Sequence, residues 1–265
     1  MEKDIFYREG YACYNEEAYE LFHNFDKKFL SFIDKYDYEH IGIPALIDED
    51  VLRKCGYFES FPGQVSMVGK IQKENIDETA NGHIPTGSQM GFAGKYLTPS
   101  ACLHIYPMLE EKIISKKVIT TLARVYRFEE QGFEELTRMW DFTVREIVFV
   151  GNKDFVHNSL EDLKEKALNF AKEICPKANL EKAQDPFYDN ARNRVKIRIQ
   201  NKNDSKMELR VPIGDKEVSL GSFNYHNQHF SKPFHFDNDG TIVSGCVGFG
   251  IDRWVAVAMH QMYKF

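Results

Sequence analysis

The segment RVYRFEEQGFEELTRMWDFTVREIVFVG, residues 124–151, constrains the fold of this chain more than any other. Its two apolar ends are rich in β-branched and aromatic residues and read as strands. The polar, glycine-containing stretch between them reads as a loop. Yet Arg127, Glu129, Arg138, Phe142 and Glu146 lie beside or inside those apolar ends. A strand points residues two apart to one face. Arg127 and Glu129 then share a face, and Arg138, Phe142 and Glu146 share one at four-residue intervals. Two readings fit. The charges converge over a sheet surface, with arginine forks for phosphate and a flat phenylalanine for an adenine ring. Alternatively, they form charge pairs on a solvent-exposed hairpin.

The rest of the chain shows no internal repeat. In residues 15–36, Ala18, Leu21, Phe22, Phe25, Phe29 and Ile33 recur at helical spacing and predict a helix with one apolar face. In IGIPALIDEDVLRKCGYFESFP, Pro44 closes a strand and Asp48 opens a short helix. Residues 63–95 are polar, and within them TANGHIPTGSQMG, residues 79–91, predicts turns or a mobile loop. TPSACLHIYPMLE predicts a short strand, with helix resuming at Glu110. Residues 159–175 are the clearest helix. Ser159 and Asp162 give a start resembling a capping box, Leu160, Leu163, Ala167, Phe170, Ala171 and Ile174 form an apolar face, and Pro176 ends it. RVKIRIQ, residues 194–200, alternates strictly and predicts a strand whose basic face is Arg194, Lys196 and Arg198. That face either docks an acidic partner or is solvated. KEVSLGSFNYH predicts another strand, and the chain from GCVGFGIDRW onward predicts a C-terminal helix. Helices flanking consecutive strands predict an α+β fold with a mostly antiparallel sheet.

Composition limits the partners. The chain has 265 residues, 43% hydrophobic and 14% aromatic, enough to bury a sizeable core. A net charge of −6 argues against a dominant nucleic-acid footprint. No apolar run approaches the roughly 18 residues of a membrane helix, so no membrane partner is expected, and the N-terminus has no signal-peptide pattern. Five scattered cysteines, an odd number, read as reduced thiols of a cytoplasmic protein.

YRFEE…TRMWDFTVRE resembles motif 2 of the class II aminoacyl-tRNA synthetases, and GFGIDRW resembles their motif 3, in the right order and separation. The resemblance implies that Arg127 holds the α-phosphate of ATP, that Phe142 stacks on adenine and that Arg253 holds the γ-phosphate. Glu129, Arg138 and Gly250 belong to the same nucleotide site. KEVSLGSFNYH resembles the strand between motifs 2 and 3 of seryl-type enzymes, where Glu217 and Ser222 sit near the phosphates and Mg²⁺. Motif 1 is represented only by IGIPALI, with Pro44, which in that family builds a dimer interface.

Cys102, Glu146 and Cys246 stand 44 and 100 residues apart. Two thiolates and a carboxylate can make a tetrahedral zinc site with one open position. Spacing this wide has no local signature, and a buried cysteine is more often a small core residue. His104, two residues from Cys102, is a rival ligand. A narrower resemblance bears on this choice. The atypical, archaeal-type seryl-tRNA synthetases and their relatives, the amino acid:[carrier protein] ligases, use a Cys–Glu–Cys zinc that binds the substrate α-amino group. Cys102, Glu146 and Cys246 fall at matching places. SFNYHNQHFSKPF, SGCVGFGIDRW, GYFESFP and DPFYDNA look more like the carrier-protein ligases. The chain departs from them at Asn227 and Gln228, where acids are usual, and at Ser231, where glycine is usual.

The resemblance implies one class II synthetase-like catalytic domain over residues 1–265, with residues 1–40 a helical extension, assembled as a homodimer. It implies ATP-dependent activation of a small amino acid as aminoacyl adenylate, with transfer to the phosphopantetheine thiol of a carrier protein. About 40 residues before the candidate motif 1 are too few for a long tRNA-binding arm, so tRNA is not expected as acceptor. The competing readings are a ligase with another acceptor (tRNA, peptide or small amine) and a catalytically silent synthetase paralogue with a regulatory binding role. His226, His229 and His235 form a cluster that either lines an acceptor entrance or packs without a role.

Overall fold

The computed structural model describes residues 5–202, 205–237 and 240–262. The stretch before residue 40, expected to be helical, opens with a hairpin of β1 (Ile5–Arg8) and β2 (Tyr11–Tyr14). Helix α1 (Glu16–Ser31) follows. Asn15 caps it by accepting the Ala18 N–H, and Ala18, Phe22, Phe25 and Phe29 are its buried face. The remainder of the predicted helix, to residue 36, is a run of turns.

Next come β3 (Glu39–His40), β4 (Leu46–Ile47), α2 (Glu49–Lys54) and α3 (Tyr57–Ser60). Pro44 lies between β3 and β4. Asp48 precedes α2 as expected, but its carboxylate pairs with Lys95 and makes no cap bond. The turns expected within residues 79–91 are present over 81–89. On either side of them β5 (Met67–Ile71) and β6 (Met90–Leu97) join β4 in a small sheet ordered β4-β6-β5, with α4 (Ile76–Ala80) between the two strands in sequence. Its strands bury few side chains, so no clean alternation marks them in the sequence.

The strand expected over residues 98–110 is a 3-10 turn, Ala101–His104, running into α5 (Ile105–Leu109). Pro99 and Pro107 have no N–H to give a ladder, and Cys102, Ile105, Tyr106 and Leu109 are buried at helical spacing. No helix resumes at Glu110, and the chain turns through Glu111 at φ 57°.

β7 (Lys116–Tyr126) and β8 (Asp141–Gly151) are the expected pair, antiparallel along their full length. β7 ends just before Arg127. Arg127, Glu129 and Arg138 are therefore presented by the connecting loop and not by strand faces, whereas Phe142 and Glu146 keep their shared face. α6 (Lys153–Ile174) starts well before Ser159. Asn152 is its N-cap, accepting the Phe155 N–H at 2.8 Å, and Ser159 is buried inside the helix.

After β9 (Asn179–Lys182), residues 194–200 lie in helix α7 (Ala191–Lys202) and not in a strand. Asn190 accounts for the difference. Its Oδ1 accepts the Asn193 N–H at 2.8 Å and its carbonyl accepts the Arg194 N–H at 3.0 Å, a start signal that overrides period-two alternation. The expected basic face is divided. Lys196 turns inward onto Ser60 Oγ at 2.8 Å, while Arg194 and Arg198 are exposed. β10 (Lys206–Ile213), β11 (Lys216–Asn227), β12 (Val243–Gly250) and α8 (Ile251–Met262) complete the chain.

Among the described residues, seven strands form the main sheet in the order β3-β7-β8-β12-β11-β10-β9. Every pairing is antiparallel except β3 with β7. This is the expected α+β architecture. Helices α1, α6 and α8 cover one face, where Phe29 stacks on Phe249 at 4.4 Å and Phe170 on Trp254 at 5.3 Å. Gly245 lets α6 approach, since a Cβ there would meet Val156 at 2.9 Å. The opposite face is left for a cavity. Among the described residues no helix is long and apolar enough to cross a membrane.

One ion pair ties α1 to the sheet. Arg145 is 1% exposed and donates through Nε and Nη2 to both Asp26 oxygens, at 2.7 and 2.8 Å. Its remaining contacts are weaker, to His40 Nε2 at 3.2 Å and Thr120 Oγ1 at 3.3 Å. Removing one partner of such a pair strands a buried charge. Asp26→Ala is expected to cost about 3–5 kcal/mol, read as a lowered denaturant midpoint with an unchanged slope.

Candidate active site

The cavity on the open face of the sheet has a volume of about 780 Å³. Arg127, Glu129, Arg138, Phe142, Ser222, Gly250 and Arg253 all line it, and so do Cys102, Glu146 and Cys246. Residues from the β7–β8 loop, β8, β11, β12, α8 and the 3-10 turn thus meet at one place, as the sequence motifs require.

At one end lie two guanidinium groups. Arg253 donates through Nε to the Thr137 carbonyl at 2.8 Å and through Nη1 to the Ser219 carbonyl at 2.9 Å, so backbone fixes it from two sides. Burial and the nearby Arg127 charge lower its pKa to about 10, against the pull of Glu208 and Glu129. Arg127 stacks over the Phe142 ring at 4.7 Å, and its Nε is buried with no hydrogen-bond partner. Two cations in one cleft, one with an orphaned donor, make a site for a polyanion. Arg138 also lines the cleft and pairs with Glu134 at 3.4 Å.

Glu217 does not reach the cavity. It is exposed, opposite Pro212 near the β10–β11 turn, too far along β11 beyond the irregularity at Leu220. Glu208 does line the cavity and stands opposite Ser222 in the β10–β11 register. Its carboxylate accepts Arg210 at 2.8 Å and lies 3.5 Å from Lys206. Glu129, Glu208 and Ser222 thus supply hard oxygen donors of the kind Mg²⁺ takes beside phosphates.

At the floor of the cavity, Cys102, Glu146 and Cys246 are buried with ligand atoms within 4.8 Å of one another. β8 and β12 place two of them. Glu146 stands opposite Gly248, and Cys246 is two residues away on the same strand. A Cβ at position 248 would lie 3.0 Å from Glu146 Oε2, so the glycine leaves room for the carboxylate. The 3-10 turn lowers Cys102 onto them. Burial raises the Glu146 carboxyl to about 7, although Cys246, Arg127 and Cys102 pull it down. The Cys246 thiol is pushed well above its usual range by its contact with Cys102, by burial and by Glu146. Two thiols and a carboxyl buried together with their ligand atoms this close are a donor set for a cation. Two sulfurs and one carboxylate fit zinc with a position left for substrate. His104 is not part of this group, because its Nε2 lies 2.9 Å from Thr98 Oγ1.

Of the three histidines, His226 and His229 line the cavity, whereas His235 is exposed outside it at φ 50°. Burial and His229 lower the His226 pKa to about 3, so the ring is neutral. His229 Nε2 donates to the Cys55 carbonyl at 3.3 Å. Asp252, passed over in the sequence, is buried beside Arg253 and accepts the Tyr14 hydroxyl at Oδ1 and the Thr143 N–H at Oδ2, 2.5 Å away. Asn224 was also passed over, although Ser222, Asn224 and His226 alternate along β11 and could have been read as one polar face.

No protein-family model matches the chain. The chain is 28% identical over 235 residues to amino acid–[acyl-carrier-protein] ligase 1 of Bradyrhizobium diazoefficiens, covering 85% of this chain and 72% of that protein. It is 29% identical over 254 residues to the type-2 serine–tRNA ligase of Methanocaldococcus jannaschii, covering 86% of this chain and 48% of the relative, so it spans about half the length of that ligase. Among solved structures, M. kandleri SerRS in complex with A. aeolicus tRNASec aligns with a TM-score of 0.81 at 21% identity, over 98% of this chain and 55% of that one. Giardia lamblia prolyl-tRNA synthetase in complex with prolyl-adenylate aligns with a TM-score of 0.70 at 15% identity, over 96% of this chain and 49% of that one. The chain therefore has the class II aminoacyl-tRNA synthetase-like catalytic fold, and its homologues include amino acid–[acyl-carrier-protein] ligases and type-2 serine–tRNA ligases.

Proposed function

We propose that this chain is an ATP-dependent ligase that activates a small amino acid as its adenylate and transfers it to the phosphopantetheine thiol of a carrier protein. The observation that carries this reading is the meeting, in one cavity, of paired arginines with the Cys102–Glu146–Cys246 donor set. The relative named as an amino acid–[acyl-carrier-protein] ligase supports the choice of acceptor.

In this reading Arg127 binds the α-phosphate and Arg253 the γ-phosphate, while Phe142 is the platform for adenine once Arg127 swings from its ring to the nucleotide. Glu129, Glu208 and Ser222 hold Mg²⁺ with the phosphates, and Glu208 takes the place assigned in the sequence to Glu217. Cys102, Glu146 and Cys246 hold zinc, which when bound supplies a Lewis-acid anchor for a neutral α-amine. An amino-acid carboxylate oxygen attacks the α-phosphorus, the bond to pyrophosphate breaks, and pyrophosphate leaves with the charge. The two arginines stabilise that charge, and Arg253 does so without moving far, since backbone already fixes it. The acceptor sulfur then attacks the carbonyl carbon of the adenylate, AMP departs, and the thiol proton passes to solvent. A thiol needs little activation for this near neutral pH. The chain acts as a homodimer, with the segment around Pro44 at the subunit contact.

A tRNA acceptor is the second reading, because type-2 serine–tRNA ligases match the same part of the chain. Both readings predict ATP–pyrophosphate exchange stimulated by one small amino acid. Arg127→Ala and Arg253→Ala are each expected to lower the exchange kcat/KM roughly 10²–10³-fold. Absence of exchange with every amino acid would overturn the ligase reading in favour of a silent paralogue. Labelled amino acid transferred to a phosphopantetheinylated carrier protein and not to tRNA would select the first acceptor, and the reverse result the second.

The donor set makes its own prediction. Zinc must displace protons from the thiols and from a carboxyl whose pKa is about 7. Below that pH the carboxyl is protonated and competes with the metal. Zinc affinity is therefore expected to fall as pH is lowered from about 8 to about 6, with proton release on binding, both measurable by chelator competition and calorimetry in buffers of different ionisation enthalpy.

A further inference from the structure

Donors around a metal-bound thiolate tune the metal as much as the ligands do. Cys246 has two such donors, both on β11. Asn224 stands opposite Cys246 in the β11–β12 register and brings Nδ2 to 3.6 Å from Sγ. His226 lies two residues on, on the same face, and brings Nε2 to 3.6 Å from the same sulfur. Sulfur is larger than oxygen, so N–H···S contacts are longer than N–H···O bonds.

The other ring nitrogen of His226 decides which nitrogen carries the proton. Nδ1 lies 3.1 Å from the Tyr106 hydroxyl and 3.3 Å from Ser244 Oγ. Either hydroxyl can donate to its one lone pair. The opposite tautomer would turn an Nε2 lone pair toward a sulfur that is anionic whenever metal is bound, which is repulsive. Nε2–H satisfies both sides of the ring. Packing holds this orientation. Tyr106 stacks on Phe230 at 3.9 Å, and the His226 ring meets Phe230 edge-on at 4.9 Å.

We propose that His226 is a positioning residue for the metal centre. Held as the Nε2–H tautomer by Tyr106 and Ser244, it donates to the Cys246 thiolate and, with Asn224, sets how tightly the site grips a thiophilic divalent cation. The charge balance explains the need. Two thiolates and a carboxylate bring three negative charges to an ion carrying two positive ones, in a buried site. Two N–H donors offset the excess on the sulfur nearest β11 and lower its basicity. The inference rests on the proposed zinc reading of Cys102, Glu146 and Cys246.

The test uses the whole purified chain loaded with zinc and then with cobalt. Zinc affinity is measured by competition with a chromophoric chelator, and the sulfur-to-cobalt charge-transfer band reports on the thiolates. His226→Ala is expected to weaken zinc binding about 10–100-fold and to shift the cobalt band. His226→Gln, which keeps an N–H donor of similar reach, is expected to restore part of both. The double variant Tyr106→Phe with Ser244→Ala keeps the ring and its packing while freeing the tautomer, and is expected to show an intermediate loss; it also serves if His226→Ala does not fold. Wild-type protein that binds no zinc would remove the metal reading and this proposal with it. Wild-type protein that binds zinc, with an unchanged affinity and cobalt spectrum in all three variants, would overturn the role of His226 alone.

Discussion

Two adjacent residues of β8 govern how the molecule is put together. Arg145 and Glu146 are both buried, and strand alternation sends them to opposite faces of the sheet. A buried charge must find a partner or be neutralised. Below the sheet, Asp26 reaches up from α1 to match Arg145, and in doing so fixes the helix that carries Phe22, Phe25 and Phe29 into the core. Above the sheet Glu146 has cysteines for neighbours, and the cation that acts on it, Arg127, lies across the cavity. One strand therefore anchors the scaffold on one side and leaves an unmet demand for positive charge on the other. The pairing of β8 with β12 shapes that demand into a site, because Gly248 makes room for the carboxylate and Cys246 arrives two residues away.

The arginine end of the cavity is preorganised through the start of α8. Asp252 receives the Tyr14 hydroxyl from the N-terminal hairpin and the Thr143 N–H from β8, while its neighbour Arg253 is held by the Thr137 and Ser219 carbonyls. The turn of the hairpin adds a further tie, for the Gly10 carbonyl accepts the N–H groups of Trp140 and Asp141 at 2.9 and 3.0 Å. Hairpin, loop, β8, β11 and α8 are thus linked around a single helix terminus. A guanidinium held this way does not need to reorganise as charge develops on a ligand, which is the condition under which an arginine contributes most.

What the sequence made legible follows from how local the signals are. The β7–β8 pair was visible because its apolar runs are long, and α1 and α6 because their aromatic and aliphatic stripes repeat over several turns. Misreadings came where a nearby cap or tertiary contact overrode periodicity. Asn190 turned an alternating RVKIRIQ into a helix, and two prolines turned an expected strand into the tight turn that positions Cys102. The motif residues were found by resemblance, while Glu208, Asp252, Asn224 and the hydroxyl shell of His226 were not. Glu208 and Asn224 depend on register between paired strands, Glu208 opposite Ser222 and Asn224 opposite Cys246, while Asp252 and the hydroxyls beside His226 depend on tertiary contacts. Register has no trace in either strand alone.

The two ends of the cavity are built differently. At the end that holds the paired arginines, Arg253 is pinned to backbone carbonyls of the main sheet and its flanking loop. At the other end the contacts are largely between side chains on short elements. Lys196 of α7 meets Ser60 of α3, Gln200 and Lys206 converge on Asp185, and His229 and Gln228 reach the Cys55 and Gly240 carbonyls. Burial raises the Asp185 carboxyl, but Lys206 outweighs it and holds that carboxyl below the usual carboxylate range. Bonds between side chains can be exchanged by substitution without moving the sheet, whereas replacing the backbone-anchored Arg253 breaks ties to both the β7–β8 loop and β11. Substitution is therefore expected to cost less around Asp185 than at Arg253.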